Sequence, residues 1–122
     1  MRTLLLEEGD WVEIAGESHY QDALVRLTSE SPPGEPVQCV ADLVAEPENE
    51  FDANAVAVRI DGLHVGYLSR AGAPRWRPAL GVFARRGYQL QVHARIVGGR
   101  LRDGSRDMLA VRISGAIPQV EP

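Results

Sequence analysis

Apolar residues recur at every second position along most of this chain, the spacing of a strand with one buried face. "WVEIAG" (Trp11–Gly16) alternates and ends on glycine. "PVQCVADLVAE" (Pro36–Glu46) places Val37, Cys39, Ala41 and Leu43 on one side. "AVAVRI" (Ala55–Ile60) turns Val56, Val58 and Ile60 inward. Asp61-Gly62 comes next, a dipeptide suited to the positive-φ positions of a tight turn, and "HVGYL" (His64–Leu68) returns. Residues 55–68 therefore predict a hairpin. "YQLQVHARIV" (Tyr88–Val97) and "MLAVRI" (Met108–Ile113) alternate in the same way. The glycine-rich "GGRLRDGSRD" between them predicts a second hairpin over 88–113.

The period changes in two places. "QDALVRL" (Gln21–Leu27) carries Ala23, Leu24 and Leu27 at helical spacing and predicts a short helical turn. "SRAGAPRWRPALGVFARRG" (Ser69–Gly87) is the longer helical segment, with Ser69 as a cap and Gly87 closing the far end. Pro74 and Pro78 predict two short pieces rather than one rod. Leu80, Phe83 and Ala84 form the expected inward stripe. "TSESPPGEP" (Thr28–Pro36) is a polar, proline-rich loop. Strands in hairpins with one helical insertion after the central hairpin predict a mainly β fold with short helices. The expected form is a small, partly open barrel of the OB-like or SH3-like kind.

A chain of 122 residues that is 44 % hydrophobic is one domain with enough length for a core of its own. Cys39 is the single cysteine, which excludes a disulfide framework within the chain and predicts a reducing, cytoplasmic setting. The opening "MRTLLLEEGDW" has too short an apolar run for a signal core or a membrane span.

The net charge of −4 conceals a split. Residues 1–58 carry 13 acids against 2 Arg, a balance of −11, and residues 59–122 carry 11 Arg against 4 acids, a balance of +7. Such asymmetry predicts a polar partner surface. Every basic residue is Arg. Base composition of the genome is one source of that bias; the fork with which Arg grips phosphate is the other.

Against this background "EPENEFDANAVAV" (Glu46–Val58) is unusual. It sets four carboxylates and a Phe in front of an apolar strand, where a plain connection needs only turn formers. Together with "IAGESHYQDAL" (Ile14–Leu24) and "HVGYLSR" (His64–Arg70), this segment resembles the HIRAN domain. The central stretch follows that family's E/D-P-x-N-x-[YF]-D-x-N-A-[VI]-x-V pattern, and the three span 14–70, more than half of the chain. The resemblance implies a modified OB-like barrel that takes the 3′ end of single-stranded DNA, found fused to helicase-like ATPases or standing alone. No Walker A loop and no RING cysteines are present, so no ATPase or ligase activity is implied.

Carried over residue by residue, the resemblance assigns Phe51 and Asp52 to the terminal nucleotide. An aromatic face stacks a base for about 1–3 kcal/mol. A carboxylate accepts from a sugar hydroxyl and repels phosphate, which would favour a free 3′-hydroxyl. His19 or Tyr20 would supply an opposite wall. Tyr67 and Arg70 match phosphate-contacting positions. Ser18 stands where relatives place a basic side chain. Each residue also has a plainer reading. Phe51 can plug the barrel end, Asp52 and Asn54 can close Asx turns, and Asn49 reads as a turn former. His64 and His93 read as surface histidines. Trp76, flanked by Arg75 and Arg77, suits either a nucleic-acid contact or a buried ring covered by arginine stems. If Arg95, Arg100, Arg102, Arg106 and Arg112 share a face, they form a basic footprint.

The sequence therefore predicts a non-catalytic module for single-stranded DNA 3′ ends in a DNA-repair setting, with no cofactor or metal and with a DNA-processing protein as a further partner. The alternatives are a protein-interaction module using the acidic half, and a metal-dependent hydrolase using Glu46, Glu48, Glu50 and Asp52.

Overall fold

A computed structural model of the chain describes residues 1–121. The strands are β1 (Arg2–Leu5), β2 (Trp11–Glu13), β3 (Val37–Ala45), β4 (Val56–Ile60), β5 (Leu63–Tyr67), β6 (Tyr88–Gly98), β7 (Leu101–Arg102), β8 (Ser105–Arg106) and β9 (Leu109–Ser114). The helices are α1 (Gln21–Leu27) and α2 (Ala73–Arg85), and Glu17–His19 forms a single 3₁₀ turn. The fold is mainly β, a strongly curled, largely antiparallel half-barrel of the small OB-like kind.

Both expected hairpins are present. Asp61 (φ 50°) and Gly62 (φ 77°) both sit in the left-handed region, which closes β4–β5 in a primed turn whose twist matches the strands. Asp103 and Gly104 repeat that geometry and fold the tip of the second hairpin into the small β7–β8 ribbon. The main sheet runs β2-β9-β6-β3-β4-β5, with β1 paired parallel to β6. Strand β1 is an addition to the sequence expectation. Its four residues are all exposed and do not alternate, so nothing in its own pattern marks it.

The inward residues of β6 (Leu90, Val92, Ala94, Ile96), of β4 (Val56, Val58, Ile60) and of β9 (Val111, Ile113) are buried. Leu24 of α1 is fully buried beneath β5 and β9, while Trp76, Ala79 and Leu80 of α2 join the same core.

Helix α2 is one continuous element of 13 residues, not two pieces. Pro74 lies in its first turn, where the missing N–H has no partner to lose. Pro78 does cost a backbone bond, to Pro74 O, at about 3 kcal/mol for an interior proline. Trp76 and Leu80 flank it and each returns about 1.5–3 kcal/mol on burial, enough to keep the helix whole. The inward stripe is Ala73, Trp76, Ala79 and Leu80; Phe83 packs partly, and Ala84 is exposed. Ser69 caps one turn upstream of the helix start, with its Oγ accepting from Gly72 N at 3.0 Å.

The curled sheet nearly meets itself at one seam. After β2 the chain reaches β5, where Ala15 N donates to Tyr67 O at 2.7 Å and Tyr67 N donates to Ala15 O at 2.8 Å. Gly66 makes this approach possible. A Cβ there would lie 2.7 Å from Ala15 O and 2.8 Å from Ile14 Cδ1.

Candidate functional site

The seam opens into a cavity of about 480 Å³, within the range of small-ligand sites. Its lining includes His19, Tyr20, Phe51, Asp52, Tyr67 and Arg70, together with Asn49 and Leu68. All six residues singled out from the sequence thus converge on one concave site. They come from three separate stretches: the β4–β5 hairpin joins the 46–55 loop to 64–70, and the Ala15–Tyr67 seam adds His19 and Tyr20.

The 46–55 loop is built by asparagine chemistry. Asn49 Oδ1 accepts from Phe51 N at 2.9 Å and from Asp52 N at 3.1 Å, while its Nδ2 donates to Glu46 Oε1 at 3.1 Å. Asp52 Oδ1 accepts from Asn54 N at 2.8 Å, an Asx turn that fixes the carboxylate. Glu46 N donates to Ala55 O at 2.9 Å and closes the loop base. The turn-forming roles of Asn49 and Asp52 are therefore real. For Asp52 that role coexists with a place in the cavity lining.

Phe51 does not plug the barrel. It is 89 % exposed, an apolar ring held at the cavity mouth by a loop whose backbone is already bonded. Exposure of a ring forgoes the 1.5–3 kcal/mol that burial would give, so its place there has no stability rationale.

Tyr20 and Tyr67 of the lining belong to an aromatic cluster completed by His64. Tyr20 stacks on His64 with centroids 4.3 Å apart, and His64 meets Tyr67 edge-on at 4.7 Å. His64 Nε2 donates to Gly66 O at 2.9 Å. The surface reading of His64 is thus corrected to a half-buried ring wedged between two tyrosines. A bulge explains the difference. Val58 pairs with Gly66 but Arg59 pairs with His64, so Val65 is an extra residue and His64 shares a side with Tyr67 despite the odd spacing. Burial pushes the Tyr67 phenol up to about 12, with the Glu46 carboxylate and the Tyr20 phenol adding to the effect. Tyr67 is therefore a neutral hydrogen-bonding group at physiological pH.

Gly16, in the left-handed region at φ 79°, starts the 3₁₀ turn that delivers His19 and Tyr20. Ser18 is exposed and lies outside the cavity lining. Its neighbour Glu17 faces the other way, where its Oε2 accepts from Val111 N at 3.2 Å. The acid beside Ser18 is thus spent on β9 rather than on the cavity.

Several arginines have identified partners. Arg70 lines the cavity. Arg77 donates to Ala53 O and so ties α2 to the 46–55 loop. Arg95 lies over the Trp11 ring at 4.4 Å. Arg102 pairs with Asp107 at 3.0 Å, Arg106 Nε donates to Gly99 O at 3.0 Å, and Arg112 lies 3.8 Å from Glu13. Of the five second-hairpin arginines, Arg95 and Arg112 lie directly opposite each other across β6 and β9 and so share a face, Arg102 and Arg106 are engaged at the hairpin tip, and Arg100 is exposed. Trp76 is buried at 6 % exposure, which settles its two readings in favour of the core. Among the described residues no group of three His, Cys, Asp or Glu side chains is gathered closely enough to hold a metal ion. The run Glu46–Asp52 is a turn rather than a strand, so its alternate acids are not set on one strand face.

Among the described residues no helix is long and apolar enough to cross a membrane. No protein-family model and no curated protein matches the chain. Among solved structures, the crystal structure of a Lactobacillus plantarum protein from a structural-genomics programme is similar to 88 % of this chain and 94 % of its own, with a TM-score of 0.43 and 19 % identity.

Proposed function

We propose that this chain is a non-catalytic nucleic-acid-binding module that receives the end of a single DNA strand in the seam cavity, with a preference for a free 3′-hydroxyl. The observation that carries this reading is the exposed Phe51 ring, which lines one cavity together with the rings of Tyr20 and Tyr67. Aromatic rings that line one cavity suit a flat base, and stacking is tolerant of sequence. Asp52 supplies an acceptor for a sugar hydroxyl, and Arg70 a cation for a phosphate. The likeness of the 14–70 motifs to HIRAN domains supports the same assignment.

The test is a titration of short single strands that carry either a 3′-hydroxyl or a 3′-phosphate. The hydroxyl form should bind more tightly, because Asp52 repels the phosphate; equal affinity would remove the end preference. Phe51→Ala should weaken binding by about 1–3 kcal/mol without changing the melting temperature, since the ring contributes nothing to the core. A Phe51→Ala protein that binds as well as the parent would overturn the stacking role.

A further inference from the structure

A second cavity, of about 500 Å³, lies on the far side of segment 68–72. Leu68 and Arg70 line the first cavity, and Ser69, Ala71 and Gly72 line the second, so one short run of chain separates them. Resting on the reading above, we infer that this second cavity is a subsite for the nucleotide that follows the strand end, and that Arg75 takes its phosphate.

Charge selects this direction. On its other side the first cavity borders the acidic loop, where Glu46 and Glu48 line a depression of their own. A polyanion leaving Phe51 that way would run against carboxylates. Toward 68–75 it meets Arg70 and then Arg75, both exposed and neither in an ion pair among the described residues. These two guanidinium groups are the cations that line the pair of cavities, and guanidinium suits phosphate bidentately.

The rest of the lining fits a nucleotide better than a bare anion. Val12, Ile113, Ile117 and the edge of Trp76 make an apolar floor, and Val12 is 49 % exposed, so apolar surface remains to be covered. Asp10 adds a carboxylate, which accepts from a base amino group or a sugar hydroxyl and disfavours free phosphate. The start of α2 does not form an anion nest by itself. Gly72 N and Ala73 N are both bonded to Ser69, and Pro74 has no N–H. The positive partner must therefore be the Arg75 side chain.

The full chain is titrated with a dinucleotide and a hexanucleotide of the same base, each ending in a 3′-hydroxyl and neither carrying a 5′-phosphate, so that the dinucleotide lacks the phosphate assigned to Arg75. The parent should bind the hexanucleotide more tightly. Arg75→Ala should leave the dinucleotide unchanged and weaken the hexanucleotide about tenfold, with a shallower salt dependence. Val12→Glu, which adds a carboxylate at the apolar floor where the second nucleotide of either strand rests, should weaken both lengths, while Arg86→Ala at the far end of α2 should behave as the parent. Inorganic phosphate alone should not compete. Equal affinity for the two lengths, or an Arg75→Ala protein with parental hexanucleotide affinity, overturns the subsite and leaves the first cavity standing. Failure of the parent to bind either strand overturns both.

Discussion

Asn49 Oδ1 accepts from two consecutive backbone N–H groups and its amide donates to Glu46, so one small side chain holds Phe51 and Asp52 in place. At about 0.5–1.5 kcal/mol for each intramolecular bond, discounted for partial exposure, Asn49→Ala should cost about 1–2 kcal/mol of stability in a urea titration. It should also weaken strand binding, because Phe51 would have to be ordered at the moment of capture. Unchanged binding alongside lower stability would show that the loop needs no preorganisation. Two acids in the fold set an alkaline limit. Burial pushes Cys39 from 9.0 up to about 11, with Asp61 adding to the shift, and Tyr67 from 10.0 up to about 12. In each case the folded state holds its proton more tightly than the unfolded chain. The stabilisation is complete below the unfolded value and is lost as pH rises toward the folded one. Melting temperature should therefore fall between about pH 9 and 12, and Tyr67→Phe should flatten the upper part of that decline. At this scale the site was largely legible. Phe51, Asp52, Tyr67 and Arg70 stand in short stretches with uncommon spacing. His64 was not legible, because a bulge at Val65 changed which side it faces and no local residue announces that bulge.

Strands and turns followed the sequence wherever the signal was local. The alternation of β3, β4, β6 and β9 and the two Asp-Gly turns needed only neighbours in the chain. Two misreadings share one cause, contacts made far along the sequence. Strand β1 exists because β6 offers a free parallel edge, and α2 stays whole because Trp76 and Leu80 are buried against distant strands. The second case gives a direct test. Pro78 is exposed, so Pro78→Ala removes no packing and returns an N–H to Pro74 O. The gain in helix propensity is about 3 kcal/mol, offset by about 0.4–1 kcal/mol from a freer unfolded chain. Thermal melting should shift upward, and a downward shift would mean that the proline is favoured by α2's geometry. Gln21 shows the opposite economy, a side chain acting as a strand. Its amide donates to Leu109 O and accepts from Leu109 N, both at 2.9 Å, which covers the part of the β9 edge that β2 does not reach. Gln21→Ala should therefore expose that edge and cost about 1–3 kcal/mol, whereas Gln21→Glu, which keeps the acceptor but loses the donor, should fall between.

Across the whole molecule, the charge split read along the chain does not become two hemispheres. The sheet order places strands of the acidic half beside strands of the basic half, so Arg59 lies opposite Asp42 and Arg112 opposite Glu13. Sequence order could not reveal this, since it depends on β3 and β9 both pairing with β6. The consequence is measurable as the salt dependence of binding. If all eleven Arg of 59–122 met phosphates, the logarithm of affinity would fall with the logarithm of salt at a slope near −8, at about −0.7 for each phosphate of a single strand. Arg70 and Arg75 alone face the proposed path, which predicts a slope of about −1.4 for a hexanucleotide and about −0.7 for a dinucleotide. Stacking on Phe51 then supplies the larger, salt-insensitive share of affinity. Binding measured over a tenfold range of potassium chloride separates the two pictures. A slope steeper than about −4 would mean that the strand wraps the outer sheet face past Arg95 and Arg112, and that Phe51 is not the anchor. A shallow slope that Phe51→Ala leaves unchanged while lowering the whole line would assign the anchor to the ring.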